Sequence, residues 1–247
     1  MIKNQFLLTI LNLLITCYSY QAKADEIWNK VRLEGLDPTN SYQISSGTGF
    51  FISKNLIVTS EHVVRKCLNI AIRGATQPTT AKLLHQDDIE DLALLETQIS
   101  APAIPHIRMN YPEIRQNDSI FTIGYPLEHA DSGLYILKPA KVINILHQAK
   151  SNFSEIEFTD SVNHGNSGGP VLDANGNIIG VVKAKATYID ENNKKTIVGI
   201  AVGLDSLISF LEKNKVTYSK THSYDLLTNY RNDKIASKYI VNIHCVY

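Results

Sequence analysis

"HGNSGGPVLDANGNIIGVV", residues 164–182, decides how the rest of the chain is read. Ser167 lies among Gly165, Gly168 and Gly169, with Pro170 next. Glycine lacks a Cβ, so such a stretch can bend sharply and lie against other backbone. Beyond it, the runs Gly169–Leu172 and Asn177–Lys183 flank Asn175-Gly176. Asn-Gly between apolar runs signals a hairpin, because the tight turn needs positive φ. The stretch reads as a serine held in a glycine bend, then strand, turn and strand.

The same texture extends in both directions. Gly49–Thr59, Asn69–Arg73, Asp91–Glu96, Ser119–Tyr125, Tyr135–His147, Ser154–Thr159 and Thr196–Val202 are short apolar or alternating runs. Many carry Val, Ile, Phe or Thr, as strands do. Glu191–Lys194 marks a second, weaker hairpin turn. Many strands with regular turns predict an all-β barrel or sandwich. One helix is expected from the i, i+3, i+4, i+7 spacing of Leu204, Leu207, Ile208 and Leu211, capped by Asp205 or Ser206. Pro102, Pro105 and Pro112 mark a linker between two halves. The polar tail ends in a strand-like Tyr239–Tyr247.

The 24 basic and 24 acidic side chains balance, which argues against nucleic acid or an anionic membrane as the main partner. Lys3, the apolar run Phe6–Thr16 and Ala22-Lys23-Ala24 have the layout of a secretory signal peptide. A lipoprotein signal ending at Cys17 is the rival reading. The apolar run is too short for a stable membrane span. Cleavage after Ala24 would leave 223 residues with a formal charge of −2, exported to the periplasm or outside the cell. Cys67 and Cys245 would then be an even pair in an oxidising compartment, either a disulfide or two separate buried thiols.

A serine hydroxyl needs a neighbouring base to act as a nucleophile, and the oxyanion it creates needs N–H donors. Gly165 lets its own N–H and that of Ser167 converge, while Gly168 and Gly169 let a substrate and a neighbouring strand approach. The base is sought in "GTGFFISKNLIVTSEHVV", residues 47–64, where His62 follows a strand-like run. A carboxylate is offered by "DDIEDLALLE", residues 87–96. Asp91 abuts the strand there; Asp87, Asp88 and Glu90 compete. The remaining histidines show no metal-ligand spacing, so neither metal nor cofactor is assigned.

Together with "FTIGYP", these segments resemble the trypsin-fold peptidases, from about Gly47 to Lys213. They are most similar to the protease domain of the high-temperature-requirement family, and next to the secreted glutamyl endopeptidases. The resemblance implies two six-stranded antiparallel β-barrels with an active site between them. It divides the chain into a signal peptide (1–24), an N-terminal barrel (25–110), a C-terminal barrel with its helix (111–213) and a tail (214–247). It implies His62 as general base and acid, Asp91 as its orienter, Ser167 as nucleophile, and Gly165 and Ser167 as oxyanion-hole donors. Polypeptides would be the substrates.

The resemblance also has departures. Asn166 stands where trypsin has an aspartate, so activation by a new N-terminus is not expected. The segment between Asp160 and Ser167 is one residue shorter than the family pattern. The resemblance implies a specificity pocket with its base near Ser161 and its back lined by Ile200, Ala201 and Val202, which would suit small or aliphatic side chains. The substrate-pairing strand, however, holds Lys183-Ala184-Lys185; lysines facing the cleft would favour acidic residues, and lysines facing away would be solvated. Only 34 residues follow Lys213, too few for the family's PDZ domain. A single-domain serine endopeptidase is the leading expectation, with a glutamyl endopeptidase or a protease-fold binder as alternatives, and the oligomeric state is left open.

Overall fold

The computed structural model describes residues 22–109, 113–129, 132–147, 153–159, 162–221 and 234–247. Most of the leader and the pocket residue Ser161 lie outside the described residues. No helix among those described is long and apolar enough to cross a membrane.

Two closed six-stranded antiparallel barrels form, as the resemblance implies. The first joins β1 (Ile44–Phe51), β2 (Leu56–Thr59), β3 (Asn69–Gly74), β4 (Thr79–Asp87) and β5 (Leu92–Thr97) to β14 (Ile240–Val246), in the order β1-β14-β3-β4-β5-β2. The second runs β7 (Ser119–Gly124), β8 (Ile136–His147), β9 (Ser154–Thr159), β12 (Lys195–Gly203), β11 (Ile178–Ile189) and β10 (Pro170–Asp173), closing through β10–β11. Two short parallel strands, β6 (His106–Arg108) and β13 (Ser219–Thr221), extend its edge.

The tail does not stand apart. Its strand β14 slots between β1 and β3, so the segment 25–110 supplies five of the first barrel's six strands. All seven β14 residues are buried. One face of β14 packs into the barrel, where Ile243 lies beside Gly49. Helix α1, residues 22–32, covers the other: the Trp28 ring meets His244 edge-on at 4.9 Å. Cys67, just after the short helix α2 (Glu61–Val64), is disulfide-bonded to Cys245 across a Cα separation of 5.2 Å. This decides between the two cysteine readings.

The Asn-Gly hairpin forms between β10 and β11, with Gly176 at φ +82. The carboxylate of Asp173 steadies it by accepting from the N–H groups of Asn175 and Asn177. The weaker turn also forms, between β11 and β12. The expected helix is α3, Leu204–Lys213, but its cap differs. Ser154 Oγ, from β9, accepts from the Asp205 and Ser206 N–H groups, so the cap comes from a residue about fifty positions away. Strand β4 had no sequence signal because it is partly exposed along much of its length, without a clean two-residue alternation.

Burial, with Arg32 and Arg73 beside it, pushes the His244 imidazole down to about 3. In the unfolded chain it titrates near ~6.5. As pH falls below that value the unfolded state takes up a proton that the folded state refuses, so stability drops until the folded group itself titrates. The slope from this one group approaches ~1.4 kcal/mol per pH unit. The midpoint of urea unfolding is therefore expected to fall steeply between about pH 6 and 4, and His244→Asn should flatten that limb. An unchanged acid limb in the variant would remove His244 as its cause.

Candidate active site

The first barrel delivers an imidazole and a carboxylate to one side of a cleft. His62 sits on α2, directly after β2. Asp91 ends the turn between β4 and β5 at φ +56, a conformation uncommon for non-glycine residues that Asp tolerates better than most. Four contacts hold it. Its Oδ2 and Oδ1 lie 2.8 and 3.0 Å from His62 Nδ1. Oδ1 also accepts the His62 backbone N–H at 3.0 Å, and the Asp91 carbonyl accepts the Glu61 N–H at 3.2 Å. The carboxylate thus fixes both the backbone and the ring of His62. With Nδ1 facing a carboxylate, the favoured neutral tautomer carries its proton there and leaves Nε2 as acceptor.

The competing carboxylates go elsewhere. Asp87 accepts from the N–H groups of Ile89 and Glu90 within the turn and pairs with Lys213 at 3.4 Å. Asp88 lies on the cleft rim.

The second barrel delivers Ser167. The loop before β10 is held by the Gly168 N–H donating to the Val182 carbonyl at 2.7 Å and the Val182 N–H donating to Gly169 at 2.8 Å. Gly165 and Gly168 have φ of +94 and +83. A Cβ on Gly168 would lie 2.2 Å from the Thr48 carbonyl and 2.2 Å from Thr59 Oγ1; one on Gly169 would lie 2.4 Å from the Ile123 carbonyl. These two glycines make room for neighbouring protein strands rather than for a substrate.

Ser167, His62 and Asp91 line one cleft of 980 Å³ between the barrels. Ser167 Oγ donates to the Lys183 carbonyl at 3.4 Å, and no hydrogen bond joins it to His62 among the described residues. Rotation about the Ser167 Cα–Cβ bond re-aims the hydroxyl, and contacts between nucleophile and base are commonly loose before substrate binds. The Gly165 and Ser167 N–H groups donate to no protein acceptor among the described residues.

The remaining lining residues include Leu127, Glu128, Val162, Asn163 and His164, facing Lys183, Ala184 and Lys185. Ile200, Ala201 and Val202 are not among them. Ala201 is buried in the second barrel's core, and Val202 packs in the cluster that holds α3. Their strand, β12, is hydrogen-bonded edge to edge with β11, whose Lys183, Ala184 and Lys185 do line the cleft. The lysines divide. A bulge at Lys183 shifts the β11–β12 register, and its ammonium pairs with Glu155 at 2.7 Å. Lys185 reaches the opposite wall, where Nζ donates to the Val162 carbonyl at 3.3 Å.

Comparison with known proteins agrees with this architecture. The profile of the trypsin-like peptidase domain matches residues 47–181, more than half of the chain. The chain belongs to the trypsin-like peptidase family. Among its relatives are an uncharacterized protein y4bJ of Sinorhizobium fredii, 36% identical over 60% of this chain and 23% of that one, and the periplasmic pH-dependent serine endoprotease DegQ of Escherichia coli, 30% identical over 56% and 30%. Bovine mitochondrial serine protease HTRA2 is 28% identical over 70% of this chain and 37% of its own. The chain therefore spans between 23% and 37% of these relatives' lengths. In fold it is similar to the active form of the Rv3671c protease from Mycobacterium tuberculosis, with a TM-score of 0.56 at 21% identity over 79% of this chain and 88% of that one. An HtrA-type protease, AlgW, gives a TM-score of 0.56 at 20% identity, covering 68% and 50%.

Proposed function

We propose that this member of the trypsin-like peptidase family is an exported serine endopeptidase acting through His62, Asp91 and Ser167. The observation that carries this is the imidazole–carboxylate pair and the glycine-bound serine lining one cleft from opposite barrels. His62 Nε2 takes the Ser167 proton as Oγ attacks the peptide carbonyl. Asp91 stabilises the imidazolium that results. The Gly165 and Ser167 N–H groups receive the oxyanion. His62 then returns the proton to the departing amine, leaving an acyl-enzyme that water cleaves by the same steps. Labelling by a fluorophosphonate probe tests this directly. A folded wild-type protein that resists the probe would point instead to a protease-fold binder. The leader-like N-terminal sequence supports export to the periplasm or beyond.

Small or aliphatic residues before the cut bond are what the resemblance implies. Lys183, on the substrate-pairing strand, does not favour the acidic reading, because Glu155 neutralises it. Cleavage-site profiling by mass spectrometry is expected to show cuts after small or aliphatic residues. Wild-type cleavage after Glu or Asp would reject that preference while leaving the peptidase assignment intact.

A further inference from the structure

Thr48 is fully buried in β1, and four hydrogen bonds converge on it from both barrels. Its N–H donates to the Ser167 carbonyl at 2.9 Å, and its carbonyl accepts from the Thr59 hydroxyl at 2.7 Å. Its own hydroxyl donates to the Gly165 carbonyl at 2.7 Å and accepts the Tyr125 N–H at 2.9 Å. The polarity of that chain is forced. An amide N–H can only donate, so Oγ1 accepts from Tyr125 and its single proton goes to Gly165.

Gly165, at φ +94, occupies a region where glycine backbone turns at little cost. Two carbonyls flank its rotatable bonds. The Leu127 N–H holds that of His164 at 2.7 Å, and the Thr48 hydroxyl holds that of Gly165. The Gly165 N–H shares a peptide plane with the His164 carbonyl and points opposite to it, while the Thr48 bond holds the next peptide plane, so the turn about Gly165 between the two planes is fixed from both sides. Thr48 is itself confined. A Cβ on Gly124 would lie 2.9 Å from its Oγ1, and one on Gly169 3.2 Å from its Cγ2. Those two glycines leave the space that the threonine side chain fills.

We infer that Thr48 is a positioning residue for the oxyanion donor, acting through the Gly165 carbonyl across the barrel interface. The inference rests on the serine-peptidase reading. It gives the threonine of the "GTG" at residues 47–49 a role that requires its hydroxyl and not merely its volume.

The test compares Thr48→Ser with Thr48→Ala in the full chain. Neither carries the methyl group, and they differ only in the hydroxyl. Thr48→Ser is expected to keep kcat close to wild type. Thr48→Ala should lower kcat by about 10- to 100-fold with KM changed less than about twofold, because the lost donor matters most when the oxyanion forms. Melting temperatures confirm that both variants are folded. Should Thr48→Ala not fold, Thr48→Cys replaces it, since a thiol fills the site but donates weakly. Equal kcat in the serine variant and the folded alanine or cysteine variant would overturn the inference. Wild-type labelling by the fluorophosphonate probe separates the two failures: a labelled wild type with equal variants sinks only the role of Thr48, and an unlabelled wild type sinks the peptidase reading beneath it.

Discussion

Ser167→Ala is expected to abolish fluorophosphonate labelling and to cut peptide hydrolysis by about 10⁶-fold, with His62→Ala costing nearly as much. The two losses should not multiply, because the hydroxyl and the imidazole act as one unit. Asp91→Asn should cost about 10⁴-fold, since an amide beside Nδ1 favours the wrong tautomer and no longer balances the imidazolium. The position of Asp91 adds a structural component, because the same carboxylate also accepts the His62 backbone N–H. An asparagine carbonyl can keep that bond, so this variant should stay folded. Kinetics on a defined peptide, with circular dichroism as the folding control, would measure all three. A Ser167→Ala protein that cleaves at the wild-type rate, with contaminating protease excluded, would sink the assignment.

The second large effect concerns the C-terminal strand. Ending the chain after Lys238 removes β14, whose residues pair with β1 from Ile44↔Val246 to Phe50↔Ile240 and with β3 from Val241↔Gly74 to Val246↔Asn69. Losing the buried side chains of Ile240, Val241, Ile243 and Val246 costs about 1.5–3 kcal/mol each. Together that is roughly the whole stability of an ordinary domain, ~5–15 kcal/mol. The truncated chain is expected not to fold cooperatively, and so to lose activity although every proposed catalytic residue is present. A synthetic peptide spanning residues 239–247 should restore structure. A cooperative melt of the truncated protein would show that β14 is dispensable. Replacing both Cys67 and Cys245 with Ser is a milder change. The bridge spans 178 residues, but the strand keeps its hydrogen bonds, so a loss of about 2–5 kcal/mol with the fold retained is expected from denaturant titration.

The residues of the candidate site were legible because each lies inside a short segment with its own local signal. Ser167 stands in a glycine bend before an Asn-Gly hairpin, and His62 follows directly after a strand-like run. Choosing Asp91 over Asp87 and Asp88 needed only its position at the start of β5, and the structure puts that carboxylate on His62 Nδ1. The pocket was less legible. Ile200, Ala201 and Val202 looked like lining from their place in the motif, but Ala201 and Val202 pack into core clusters and the neighbouring strand β11 supplies the lining residues. Lys183 and Lys185 could not be told apart until a bulge separated them and Glu155 arrived from β9.

The sequence by itself determined the strand-rich class, the hairpins, the helix and the three residues proposed for catalysis, because turn chemistry and side-chain periodicity act over a few residues. Tertiary structure alone decided that the tail closes the first barrel, that Cys67 meets Cys245, that Ser154 caps α3 and that Thr48 grips Gly165. Each of those contacts joins residues between about 50 and 200 positions apart. Which buried donor meets which acceptor at such range depends on how the strands pair, and no local pattern in the chain carries that information.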